Sequence, residues 1–143
     1  MPLKQWLLKR LTRELHDYQP VIDNEEETVT FQYGKYYIQV SELSKGYPFS
    51  PPRVSIDGKI LAYTPSFFPS RLISEYSAKH KCPCCVSITC PDNWSPSFRI
   101  TDILKEFLEF VETLKTFQKM KMFNGANLPD DMIFEIASFI GKK

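Results

Sequence analysis

The chain has almost no net charge, no long apolar run, and no cysteine outside one short stretch. Each of these absences excludes something. A formal net charge of +1 gives no reason to expect nucleic acid or an acidic substrate as a partner. No apolar run approaches the roughly 20 residues that span a bilayer, so no membrane segment is expected. All four cysteines fall between positions 82 and 90, where they cannot staple distant parts of a fold, and no secretory leader is recognisable ahead of them. A reducing intracellular compartment, cytoplasm or nucleus, is the expected setting. Internal repeats and low-complexity segments are missing too.

What is present fits an ordinary globular domain. Apolar residues make up 43% and charged residues 24% of the 143 positions, which predicts one domain over residues 1–143. A chain of this length buries roughly two-thirds of its unfolded surface. Eleven Phe and seven Tyr favour a sheet with substantial aromatic packing.

Hydrophobic periodicity orders the elements. Pro2 to Asp17 reads as an amphipathic helix with Leu3, Trp6, Leu7, Leu11 and Leu15 on one face and Lys4, Lys9, Arg10 and Arg13 off it. Pro2 suits a first helical position, and Pro20 predicts a stop before it. After an acidic loop over 23–28, Thr28 to Tyr33 alternates as a strand, Gly34-Lys35 offers a two-residue turn, and Tyr36 to Val40 returns. Three prolines keep Tyr47 to Pro52 out of any central strand. Arg53 to Ile56 and Lys59 to Tyr63 flank a second tight-turn signal, Asp57-Gly58. Ile100, Ile103, Leu104, Phe107, Leu108, Val111, Leu114 and Phe117 form a helical stripe that should cross the sheet as the main core helix, with Asn124-Gly125 as its stop. Leu128 to Ile140 reads as a further helix, with Pro129 near its start, acids in its first turn and Gly141 after it. The expected fold class is therefore α+β: an N-terminal helix, a small antiparallel meander of three to four strands, a long core helix and a C-terminal helix.

The segment from Lys81 to Phe98, KCPCCVSITCPDNWSPSF, concentrates the chemistry. Cys84 to Ile88 reads as a short extended run, and Cys90 to Ser97 as turns around Trp94. A loop held by prolines and an aromatic anchor and carrying thiols is a candidate reactive site; its bland counterpart is a buried cysteine-rich loop without chemistry.

CVSITCPDNWSPSFRITDIL resembles the active-site segment of ubiquitin-conjugating enzymes, in which a cysteine in a "CLDIL"-like run precedes a "WSP" and then a helix. Upstream, YPFSPPRV over 47–54 is similar to that family's "YPFxPPxV" signature, and the two motifs stand in the family's order. The nearest branch reads "CLSIT" and is found in membrane-tethered enzymes of the endoplasmic reticulum; the CPCC doublet is also similar to relatives encoded by large DNA viruses. The resemblance covers most of residues 3–111 and is strongest over 47–54 and 85–104. The C-terminal anchor of the tethered branch has no counterpart here, so a soluble protein is expected.

That resemblance implies a UBC-like fold and a transferase that holds ubiquitin or a ubiquitin-like protein as a thioester on Cys85. It implies as partners a ubiquitin-activating enzyme, docked on the basic face of the first helix (Lys4, Lys9, Arg10, Arg13), and a RING-type ligase docked on Phe49 and Pro96. Ser87 stands where the common pattern has an aspartate. Ser66, in Thr64-Pro65-Ser66, stands where the family's "HPN" has the asparagine that helps to hold the oxyanion; a lone loop serine is ordinarily a turn residue, so Ser66 counts only as a supporting candidate. The tail over 124–143 is similar both to the family's "NPDDPLVPEIA", which sets Asp131 near the active site, and to the opening helix of an F-box; a plain packing helix is the leading reading. Conjugating enzymes usually have a longer hairpin and one more strand, so a trimmed sheet is expected. No cofactor is implied.

Other readings of the same residues stay open. His80, Cys82, Cys84, Cys85 and Cys90 offer N and S ligands for zinc with one C-x-x-C spacing, but no second ligand pair exists elsewhere and His16 is the only other histidine. A Cys–His hydrolase has the residue types without a telling spacing. A UBC-like binding module that has lost transfer is the alternative that the missing "HPN" favours. Between neighbouring thiols, alternation along an extended run turns Cys84 away from the side that Cys85 faces.

Overall fold

The computed structural model describes residues 3–61 and 86–122, together with Met132 and Ile136. Its elements are α1 (Gln5–Glu14), a 3₁₀ turn (His16–Tyr18), β1 (Val21–Asp23), β2 (Thr28–Tyr33), β3 (Tyr36–Ser41), a second 3₁₀ turn (Leu43–Lys45), β4 (Arg53–Ile56), β5 (Lys59–Ile60) and α2 (Ile100–Met122).

α1 forms on a row of leucines spaced by four. Leu3, Leu7, Leu11 and Leu15 are all buried. Trp6, expected on the same face, is about half exposed (48%). At 3.6 residues per turn a row of fours drifts round the helix toward Leu8, which packs on the core, and away from Trp6. The helix ends where Tyr18 N–H bonds Leu15 O and Gln19 turns left-handed (φ 49°) ahead of Pro20.

The five strands pair antiparallel in chain order, β1-β2-β3-β4-β5. Both predicted hairpin turns are there. Tyr33 faces Tyr36 across Gly34-Lys35, with Gly34 at φ 60°, the first-position positive φ of a type II′ turn. Ile56 faces Lys59 across Asp57-Gly58, where both loop residues have positive φ, as type I′ requires. The Asp57 carboxylate also accepts the Tyr37 N–H at 2.8 Å, tying this turn to the start of β3.

The sheet has one strand more than the largest number expected. β1 is three residues long, too short to display alternation, and only its Ile22 packs against the core. It exists because β2 offers it a partner edge, with Ile22 opposite Val29. β5 is shorter than expected, and both of its residues are exposed; Ala62 and Tyr63 lie outside the described residues.

One face of the meander is apolar through the register itself. Val29 faces Val40, Phe31 faces Ile38, Ile38 faces Ile56 and Val40 faces Val54, and all of these side chains are buried. They share one core cluster with the α1 leucines and with Ile100, Ile103, Leu104, Phe107, Leu114 and Phe117 of α2. Leu108 and Val111, the remaining members of the predicted stripe, pack at its margin. Among the described residues the protein is thus a mixed α+β structure, with an antiparallel sheet and two helices around one core. The predicted stop at Asn124-Gly125 and most of the predicted tail helix lie outside the described residues; Met132 and Ile136 are helical and exposed.

Candidate functional site

The region named by the two sequence motifs is organised by a carboxylate that neither motif contains. An α-helix begins with N–H groups that have no partner within the helix. In α2, Asp102 reaches back to the Arg99 N–H at 2.8 Å, which is half of a capping box. The Ile100 N–H is taken by Glu14, from the last turn of α1. Negative charge at a helix start is favourable, and Glu14 supplies it from a side chain that is only 4% exposed. The same carboxylate accepts the Tyr47 hydroxyl at 2.7 and 2.9 Å and Arg10 Nε at 3.3 Å. Three donors from three segments therefore converge on one buried anion. Burial, and then the neighbouring Glu14 charge, hold the Tyr47 phenol well above the ordinary tyrosine range, against a smaller opposing pull from Arg10.

Around this centre the two motif loops are bolted together. Phe49 N–H and Ser50 N–H both bond Gly46 O, closing a tight turn before β4. Gly46 sits at φ 132°, and a Cβ there would come within 2.9 Å of Ser50 Oγ, so no other residue fits this place without strain. Trp94 donates its indole N–H to Pro48 O at 2.7 Å, and its ring lies 6.3 Å from Tyr47 and 5.6 Å from Phe98. Arg10 stacks over the Tyr47 ring at 5.3 Å and donates through Nη2 to Pro96 O at 2.7 Å and Phe98 O at 3.0 Å.

The segment after the CPCC doublet is fixed by Glu106 of α2. Its carboxylate accepts Ser87 Oγ at 2.5 Å and the Ile88 N–H at 3.0 Å. Ser87 O accepts the Cys90 N–H and the Asn93 side-chain amide, while Trp94 N–H bonds Cys90 O. This corrects the described part, residues 86–88, of the extended run expected over 84–88: Val86 is helical, and the chain bends and turns from Ser87 onward. Its amides find partners in Glu106 and in local turns, which a strand would have needed from a neighbouring strand. The alternation used to separate Cys84 from Cys85 thereby loses its footing on this side, and both thiols lie outside the described residues.

The sequence-predicted residues fall into three groups. Cys85, Ser66 and Asp131 lie outside the described residues. Phe49 (72% exposed) and Pro96 stand in the open on the two joined loops, and Lys4, Lys9 and Arg13 are exposed on and beside α1. Two residues face inward. Ser87 is buried, with its hydroxyl committed to Glu106 and Thr89, so it lines no open surface. Arg10 is turned onto Glu14, Tyr47 and the loop carbonyls, so it braces the site more than it presents charge to a partner.

Of the proposed zinc ligands, His80, Cys82, Cys84 and Cys85 lie outside the described residues, and Cys90 is a half-buried free thiol. Among the described residues no three His, Cys, Asp or Glu side chains converge as a metal set, and no helix is long and apolar enough to cross a membrane.

Glu14, Glu106 and Gly46 are the organising residues that sequence reasoning missed. Glu14 carried one readable signal: an acid in the final turn of a helix, where the dipole favours cations, needs a reason from elsewhere in the fold. Chemically, the arrangement is a rigid platform. Two proline loops are held by a buried anion and an indole hydrogen bond, and they hold Phe49 and Pro96 toward solvent. No family model, no curated protein and no solved structure matches this chain.

Proposed function

We propose that this chain is a ubiquitin-conjugating-type transferase, which takes ubiquitin or a ubiquitin-like protein from its activating enzyme as a thioester on Cys85 and passes it to an amine or a ligase. The observation that carries this reading is the pairing of YPFSPPRV with CVSIT…WSP in the family's order, supported by the direct Trp94–Pro48 hydrogen bond between those two motifs. An N-terminal helix, an antiparallel meander and a long helix after the WSP segment agree with a UBC-like fold.

In the proposed step the Cys85 thiolate attacks the carbonyl carbon of the modifier's thioester. A new C–S bond forms as the activating enzyme's sulfur leaves as thiolate. The reaction asks for an accessible thiolate and an oriented acyl donor, so a serine in place of the "HPN" asparagine slows onward transfer without preventing charging. Lys4, Lys9 and Arg13 serve the activating enzyme, and Phe49 with Pro96 serves a RING-type ligase.

The test is a non-reducing gel after incubation with activating enzyme, ATP and modifier. A slower band that collapses with reductant, is lost in Cys85→Ala and is kept in Cys84→Ala and Cys90→Ala is the expected outcome. A band lost in Cys84→Ala but kept in Cys85→Ala moves the site by one residue. No band with any modifier, from folded protein, leaves the non-catalytic UBC-like binding module, which Thr64-Pro65-Ser66 favours.

A further inference from the structure

Between the last turn of α1 and the chain entering α2 lies a cleft of about 270 Å³, lined by Arg10, Arg13, Glu14, Ser97 and Arg99. Among the described residues its charges do not balance. Glu14, the only acid among the described lining residues, is buried and already accepts from Arg10, Tyr47 and Ile100. Arg10 is bound to Glu14 and to two carbonyls. Among the described residues, the Arg13 and Arg99 guanidinium groups have neither an ion pair nor a hydrogen-bond partner.

A chain of net charge +1 has no general excess of cations to account for this. Arg13 has a local reason to be where it is, since a cation suits the C-terminal turn of a helix. Arg99 has the opposite: it immediately precedes α2, at the helix end where positive charge is disfavoured. Two unpaired guanidinium groups lining the same cleft repel each other, and an anion between them reverses the sign.

We infer that this cleft binds a phosphate dianion, either the inorganic ion or a phosphate monoester. Guanidinium forks match phosphate oxygens in pairs, and the lining also includes Ser97, whose hydroxyl shares a hydrogen bond with Ser95 Oγ at 2.9 Å. Among the described residues the lining includes no aromatic or aliphatic side chain to stack a nucleobase or bury an acyl chain, so the recognition inferred is of the phosphate group itself. The described lining contains no thiol and shares only Arg13 with the surface proposed above for the activating enzyme. The phosphate arrives either free or on a phosphorylated protein segment.

Amide shifts in two-dimensional NMR test this, with inorganic phosphate, a capped Gly-phosphoserine-Gly peptide and its Gly-Asp-Gly counterpart titrated at matched ionic strength. Saturable shifts centred on the Ser97, Arg99 and Ile100 amides are expected with both phosphate probes. Joint Arg13→Gln and Arg99→Gln should weaken binding about tenfold or more, joint replacement by Lys should weaken it less, and Lys4→Gln should leave it unchanged. Tighter binding of the phosphopeptide than of inorganic phosphate would identify a phosphorylated segment as the source, and equal affinities the free ion. An absence of saturable shifts, equal binding of the Asp peptide, or unchanged affinity in the folded double Gln variant would overturn the assignment.

Discussion

On the inner face of the sheet, side chains meet in register: Val29 with Val40, Phe31 with Ile38, Val40 with Val54. At the junction of α1 with the start of α2, a carboxylate meets a phenol, a guanidinium and a backbone amide from three separate segments. Both regions are buried, and they hold the fold in different ways. The apolar face is additive and forgiving, because each contact is small and neighbours can shift to fill a gap. The junction is all or nothing: fully paired, Glu14 fixes α1, the Tyr47 loop and α2 in one arrangement, whereas a missing partner leaves a desolvated polar group. Specific positioning of the exposed Phe49 and Pro96 therefore rests on the polar junction more than on the apolar face.

The largest expected effect breaks that contrast open. Glu14→Ala removes the acceptor of three donors and should cost about 3–5 kcal/mol by chemical denaturation, as the loss of one member of a buried charged pair does. It should also blur the near-ultraviolet signal of Trp94, because Arg10 and Tyr47 lose their anchor. Ile38→Ala on the sheet should cost about 2–5 kcal/mol through lost transfer energy and a cavity, and leave the Trp94 signal as it was. An equal loss of that signal in both variants would show that the two regions are one unit.

Tyr47→Phe comes next, at about 1.5–3 kcal/mol, for the loss of a hydrogen bond to a charged group. This variant also sharpens the comparison through pH. The folded Tyr47 phenol sits above its ordinary value of 10.0, so the folded state keeps its proton after the unfolded state has released it. The associated stability is fully present below pH 10 and declines as pH rises beyond it toward the folded value. Wild-type protein should therefore lose stability above pH 10 more steeply than Tyr47→Phe, and parallel curves would show that Tyr47 is not the group responsible. Tyr33, raised by partial burial and then by Tyr18, adds a smaller alkaline slope that both proteins share.

How much of this was legible beforehand depends on the period of each signal. The α2 stripe, the two hairpins and the exclusion of 47–52 from the sheet are written in spacing and turn chemistry, and they appear where the sequence puts them. β1 was not legible, because three residues cannot display a period of two. Ser87 has a place in a motif, yet its burial under Glu106 depends on a residue 19 positions away. Arg10 is one of four basic residues on a helix face, and nothing in the spacing of α1 separates it from Lys9 or Arg13.

The sequence by itself determined the two long helices, the two hairpins with their turns, and most of the apolar face of each, because these follow from periodicities of 3.6 and 2 and from the backbone limits of proline and glycine. Only the tertiary structure decided which charges are structural and which are left facing solvent. Glu14 reaches Ile100 across 86 positions, and Arg10 reaches the loop carbonyls across 86 and 88. A polar side chain has no periodic signature of its own, and its role is set by whichever donor or acceptor the folded chain brings within 3 Å or so.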